Sequence, residues 1–295
     1  MSDKYKAVWL SHSSYNDFLN CKRGYYLKNI YKDPKSRNKI SLLSPATSLG
    51  SAVHLAIETL LNYPSHEREE KLKDLEKEYE RIWNENFVGK RGGFQNNENK
   101  EEKEYYDKGL TMIQNIKENP NFLLNKIIKK EGYYKGDIIP NFFIDDEEEV
   151  LLCGVPDWVE YLDDNTLHVV DFKTGKNEER EDSTQLPIYV LLLENLQKRK
   201  VSKASYWYLL TDKNIKEKEI DRGEIEDIKN KIVAAGKEIK ELKNKTLKKD
   251  WREVFVCEKG ESGCIHCRDY EKILSGEAEY VGKDIYGKEG YVLRN

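Results

Sequence analysis

The chain has 295 residues, 38% of them apolar and 35% charged, with a formal net charge of −4 and an isoelectric point near 5.9. That apolar share fills the core of one large domain or two modest ones, and the acidic balance excludes a broad basic surface that would coat duplex DNA nonspecifically, while leaving room for a local groove. No apolar run is long enough to span a bilayer, and the opening Met1 to Lys6 lacks the apolar core of a signal peptide, so a cytoplasmic protein, cellular or viral, without a membrane partner is expected.

Taken in order, Ser11 to Leu27 begins with a cap-like serine cluster, and Tyr15, Phe18 and Leu19 fall at helical spacing, which predicts a short helix ending around Cys21. In isolation Cys21 reads as a small buried apolar residue. Residues 40–47 form a polar connector. Ser48 to Leu61 is a helix with small residues at its start, and it carries His54 in its first half and Glu58 one turn later. A histidine on such a helix is more often a hydrogen-bonded structural residue than a ligand. From Pro64 to Asn119 the apolar positions Leu72, Leu75, Tyr79, Ile82, Trp83, Leu110, Ile113 and Ile116 predict two amphipathic helices with solvated charged faces. The glycine-rich stretch 89–97 between them is a linker or a mobile flap; without a Lys-Ser/Thr ending it has no phosphate-binding role.

Lys129 to Ile144 alternates enough for a strand pair entering a core hairpin, with 145–149 as its turn. Val150 to Cys153 leads in, Trp158 to Leu162 continues, 163–166 supplies turn chemistry, and Leu167 to Phe172 returns as a β-branched and aromatic strand. Asp157 then sits on the first strand, Asp171 near the end of the second, and Lys173 on the same side as Asp171. Singly, each acid reads as a solvated edge residue with Lys173 as a surface partner. Two converging carboxylates repel, and they persist at neutral pH mainly where a divalent cation neutralises them. After a charged loop over 176–183, Gln185 to Leu196 is a helix with Pro187 in its first turn. Gln185 and Tyr189 lie one turn apart there, as a cap and a core aromatic on the plain structural reading. Val201 to Thr211 is an aromatic-rich strand, 215–220 its continuation or partner, and Glu224 to Lys245 an amphipathic helix. In the tail, Cys257, Cys264 and Cys267 have spacing suited to thiolate ligation, and Cys21 makes a fourth; a zinc knuckle that draws in His266 is an alternative. Cys153, in an apolar strand, stays outside the set.

The Cys21-x-Arg23 helix with Tyr25 and Tyr26, Gly50-x-x-x-His54, Pro156-Asp157, Asp171-Phe172-Lys173 and Gln185-x-x-x-Tyr189 stand in the order found in RecB-type nucleases of the PD-(D/E)XK superfamily. The chain resembles these, in size and layout, in the form of the CRISPR-associated RecB-like exonucleases and their phage or viral relatives. The resemblance implies an α/β restriction-endonuclease-like core, a mixed central sheet flanked by helices, with a cysteine-bound cluster joining N- and C-terminal segments. It implies one nuclease domain over 1–295, a helical insertion over 64–128, and a cysteine region formed by 11–30 and 250–275. His54, Asp157, Asp171 and the Phe172 carbonyl would hold Mg²⁺ or Mn²⁺, the histidine favouring Mn²⁺ somewhat. Lys173 would orient the attacking water, and Gln185 and Tyr189 would steady Lys173 or the scissile strand. Cys21, Cys257, Cys264 and Cys267 would bind a 4Fe-4S cluster, with Zn²⁺ as the alternative. The family's cysteine about six residues beyond Cys-x-x-Cys is replaced here by the Ile273-Leu274 region, so Cys257 takes its place. The implied activity is a metal-dependent DNA exonuclease preferring single-stranded ends, with other DNA-processing proteins as possible partners. A DNA-binding adaptor subunit, a zinc-stabilised interaction protein and an RNA substrate are the rival readings. Tyr25, Tyr26, Tyr206, Trp207 and Tyr208 are core aromatics for the most part, with base stacking as their alternative.

Overall fold

The computed structural model describes residues 3–85, 94, 99–127, 139–212, 214–284 and 286–293. The flap over 89–97, apart from Phe94, and the first part of the strand pair expected from Lys129 lie outside the described residues. Along the chain come β1 (Val8–Leu10), α1 (His12–Asn20), β2 (Ile40–Leu42), α2 (Pro45–Glu58), α3 (Ser65–Lys73), α4 (Leu75–Glu85) and α5 (Asn99–Glu118). There follow β3 (Asn141–Asp145), β4 (Val150–Cys153), β5 (Trp158–Tyr161), β6 (Leu167–Lys173), α6 (Gln185–Leu196), β7 (Val201–Tyr208), β8 (Lys216–Lys218), α7 (Arg222–Lys245), α8 (Arg268–Ser275), β9 (Ala278–Lys283) and β10 (Glu289–Leu293). The segment read as two amphipathic helices thus contains α3, α4 and α5. None of the helices among the described residues is long and apolar enough to cross a membrane.

The chain divides into two compact units. One gathers 1–43, 141–153 and 226–295 and holds two three-stranded sheets. In the first, β4 is central, parallel to β1 and antiparallel to β3. Val150, Leu151 and Leu152 are fully buried, as an unbroken apolar run on a central strand requires. Gly236 of α7 lets that helix approach β4 closely, since a Cβ there would fall 2.5 Å from Val150. Val150–Cys153 therefore pairs within this sheet and does not extend the β5–β6 hairpin, from which Gly154 and Pro156 separate it. In the second sheet β10 is central, parallel to β2 and antiparallel to β9. Ile40–Leu42, expected within a connector, becomes a strand because distant β10 supplies its hydrogen bonds.

The other unit, 44–140 and 154–225, carries the sheet β5-β6-β7-β8. The hairpin β5–β6 is antiparallel and turns at Asn165, which adopts the left-handed conformation (φ 65°) that asparagine tolerates. Strands β6 and β7 are parallel, so the chain must cross over between them, and α6 makes the crossing. Helix α2 starts earlier than Ser48 because Ser44 and Thr47 form a reciprocal capping box with Pro45 in the first turn. On one face of the sheet Trp158, Phe172 and Trp207 pack with Phe122, the Phe122 and Trp207 rings lying 5.1 Å apart. A buried polar row crosses the same strands: His168 Nδ1 is 2.6 Å from Glu160, its Nε2 is 2.8 Å from Ser205 Oγ, and Asn125 donates to the other Glu160 oxygen. Arg68, also buried, donates to the carbonyls of Tyr63, Leu123 and Asn125. Tyr206, Trp207 and Tyr208 are all buried, and in the first unit Tyr25 is buried and Tyr26 stacks on Trp251 at 4.5 Å; these aromatics serve packing.

Candidate functional site

The site is built around the end of β6. Alternation along the strand sends Phe172 into the aromatic core and leaves Asp171 and Lys173 together on the other face. Asp157 sits in the bend just before β5 rather than within the strand. Its Oδ2 accepts the Phe172 N–H at 2.8 Å, which ties the bend to β6. Helix α2 brings His54, whose Nδ1 is 3.3 Å from Asp157 Oδ1. Gly50, one turn earlier, allows the approach, because a Cβ there would sit 3.1 Å from the Thr174 hydroxyl.

Gln185 opens α6 and links the remaining groups. Its Nε2 donates to Asp171 Oδ1 at 2.7 Å and to the Tyr189 hydroxyl at 3.3 Å, while its Oε1 accepts from Lys173. A lysine only donates, so its bond to Oε1 fixes the orientation of the amide and leaves Nε2 facing Asp171. Lys173 also contacts Asp171 Oδ2 at 3.1 Å and Glu179 Oε1 at 2.8 Å, and lies 5.0 Å above the Tyr206 ring. In the sequence Glu179 stands only as part of a charged loop. Its backbone N–H donates to the Tyr208 hydroxyl at 2.9 Å, which folds the loop back over the lysine. The available signal was an acid placed between the Asp-x-Lys strand and the Gln185 helix.

Burial, and then the facing charge of Asp157, push the Asp171 carboxyl up to about 8 against the pull of Lys173 and His54. Burial works against the charged forms of Lys173 and His54, but the acids beside them outweigh it and raise both. The Tyr189 phenol is driven well up by burial and by the same two acids. Added positive charge would relieve the repulsion between the two carboxylates, as a divalent cation does, but the donor atoms of His54, Asp157 and Asp171 do not all lie within 4.8 Å of one another. Asp171 is meanwhile turned to Lys173 and Gln185.

Over residues 9–269 the sequence matches the PD-(D/E)XK nuclease superfamily. The chain belongs to that superfamily. No curated protein matches it at a significant level.

This PD-(D/E)XK chain carries a second cluster, in its other unit. Cys21, Cys257, Cys264 and Cys267 place their sulfur atoms within 4.8 Å of one another, the one such group of histidine, cysteine or acid donors among the described residues. The group consists of thiols, without the His266 ring, and Cys153 stands apart. Cys21 Sγ accepts the Gly24 N–H at 3.3 Å, Cys267 Sγ accepts the Cys264 N–H at 3.2 Å, and those last two sulfurs are 3.9 Å apart. A Cβ on Gly24 would fall 2.8 Å from the His266 carbonyl oxygen, so the N-terminal and C-terminal segments meet backbone to backbone. Burial raises Cys21 to about 11 and also raises Cys267. At Cys264 burial is outweighed by the His266 N–H and the other thiols, and its thiol falls to about 7. Convergent thiols, one of them already acidic, are the donor set of a thiophilic metal centre.

Proposed function

We propose that the chain is a metal-dependent deoxyribonuclease that removes nucleotides from DNA ends, single-stranded ends foremost, acting as one nuclease domain. The carrying observation is the closed network of Asp171, Lys173, Gln185 and Glu179 beside Asp157 and His54. In this reading His54, Asp157, Asp171 and the Phe172 carbonyl hold Mg²⁺ or Mn²⁺. When bound, such a cation would supply polarisation of the phosphate and acidification of a water molecule. Lys173, kept as an ammonium by the acids around it, orients the attacking water and offsets charge building on the phosphate oxygens. Gln185 holds Asp171 and Lys173 in register, and Tyr189 fixes the Gln185 amide.

The four cysteines hold a structural metal centre, a 4Fe-4S cluster on the resemblance to RecB-type nucleases. One observation favours a single zinc ion instead: thiols sharing one ion at about 2.3 Å must crowd together, and the sulfurs of Cys264 and Cys267 are already 3.9 Å apart.

Protein purified without oxygen, assayed for iron and zinc and then given end-labelled single- and double-stranded DNA and RNA with Mn²⁺, Mg²⁺ or chelator, tests both readings. Metal-dependent shortening from one end, faster on single-stranded DNA, is the expected result. Intact DNA in every lane refutes the nuclease proposal and leaves the interaction-protein reading.

A further inference from the structure

The sheet β2-β10-β9 and the turn before it form a surface that the proposed chemistry does not use. Segments 31–42 and 278–293 contain six lysines and arginines against four acids, the reverse of the sign of the whole chain. Among the described residues none of these six cations, Lys32, Lys35, Arg37, Lys39, Lys283 and Lys288, has a carboxylate within 4.0 Å.

Three of the four acids here are turned to local structure. Asp33 accepts the backbone N–H groups of Lys35 and Ser36. Asp284 accepts those of Tyr286 and Lys288 and the Ser41 hydroxyl. Glu289 is buried and accepts from Asn38 and the Tyr280 hydroxyl. The cations are close together: burial first, then Lys288 and Lys32, push the Lys39 ammonium down.

Among these charges stand aromatic rings. Tyr280 is 52% and Tyr286 75% exposed. The Tyr280 and Tyr291 rings meet edge to face at 5.5 Å across β9 and β10, and Lys288 lies 6.0 Å over the Tyr286 ring. Tyr280 on β9 and Tyr286 in the turn after it leave much of their apolar rings in water. Interleaved with cations lacking carboxylate partners, they match one ligand: a single nucleic-acid strand, whose phosphates take the ammonium groups while its bases stack on the rings.

We propose that the β2-β10-β9 face, with Tyr280, Tyr286, Lys283 and Lys288 as its principal contacts, is a binding platform for single-stranded DNA. Charge complementarity selects a polyanion, and the exposed rings select an unpaired strand over a duplex, whose bases are already stacked. The proposal rests on the nuclease reading only for the purpose the strand serves.

The test is fluorescence anisotropy of a labelled oligothymidylate with the full chain carrying Asp171→Ala, so that cleavage does not intrude. Each phosphate contact on a single strand contributes about −0.7 to the slope of log affinity against log salt, so Lys283→Glu with Lys288→Glu should flatten that slope by about 1.4. Tyr286→Ala should weaken binding about five- to hundredfold, the range for loss of one stacked base. Thermal melting of each variant checks that the exposed substitutions leave the fold in place. Affinity and slope unchanged in both variants overturn the platform, as does tighter binding of polyglutamate or of phosphatidylserine vesicles than of the oligonucleotide. Cleavage of the same oligonucleotide by the otherwise unaltered chain is scored separately. Cleavage with unaltered binding in the variants removes only the platform, whereas variant-sensitive binding without cleavage removes only the nuclease reading.

Discussion

The two polar clusters, one around Asp171 and one around Cys267, solve the problem of buried charge in opposite ways. Around Asp171 the protein supplies its own cation: Lys173 and the Gln185 amide contact both carboxylate oxygens, so the acids have partners before any metal arrives. Around Cys267, among the described residues, no lysine or arginine bonds to the sulfurs, which contact one another and three backbone N–H groups, those of Gly24, Cys264 and His266. A site that carries its own counter-charge can exchange a metal during turnover and keep its shape. A site that lacks one depends on the metal for its shape. The first arrangement suits chemistry, the second a structural staple.

This contrast can be broken most directly at Asp171 and Lys173. Alanine at either position should reduce cleavage by on the order of a thousandfold or more while melting temperature and cysteine-bound metal stay as they were. Near-unaltered rates in purified variants would remove both residues from the chemistry. At the thiols the order reverses. Cys257→Ser with Cys267→Ser should release the bound metal and lower unfolding free energy by more than about 4 kcal/mol, read as an early step in urea titration; unchanged melting without metal would end the staple idea. A smaller effect sharpens the acid side. Glu179→Ala should slow turnover by as much as about a hundredfold through a misplaced Lys173, with little change in KM and partial recovery in Glu179→Asp. A loss confined to KM would instead make Glu179 a strand contact. The smallest change is expected at Ser205→Ala, which leaves the buried His168 Nε2 without its partner and should cost about 1–3 kcal/mol at unaltered cleavage rate. A loss of activity there, in folded protein, would tie the buried row to the site.

Local signals carried much of this arrangement. The turn at 163–166, the β-branched and aromatic run from Leu167, the helical spacing after Ser48 and the Gln185–Tyr189 turn are written in neighbouring residues, and they suffice for the β5–β6 hairpin and for two of the helices beside it. What stayed hidden depended on distant pairing. β2 has three residues and no alternation of its own, and β9 and β10 gave no reading because their partners are each other and a segment near residue 40. By sequence Val150–Cys153 leads into the nearest strand, although its ladder is with Val8–Leu10 and Asn141–Asp145. Glu179 was lost for a related reason: nothing in an acidic loop says which lysine it folds onto until the Tyr208 hydroxyl fixes its backbone.

The backbone contact at Gly24 also sets an order of events during synthesis. Cys21 leaves the ribosome early, and its partner thiols, the His266 carbonyl that rests on Gly24 and the β10 strand that completes β2 all appear in the last segment of the chain. At about 5–20 residues per second the first segment waits on the order of ten seconds or longer without the surfaces it must join. Assembly of the four thiols is therefore a late step, complete only in a nascent chain that has already been translated past Cys267.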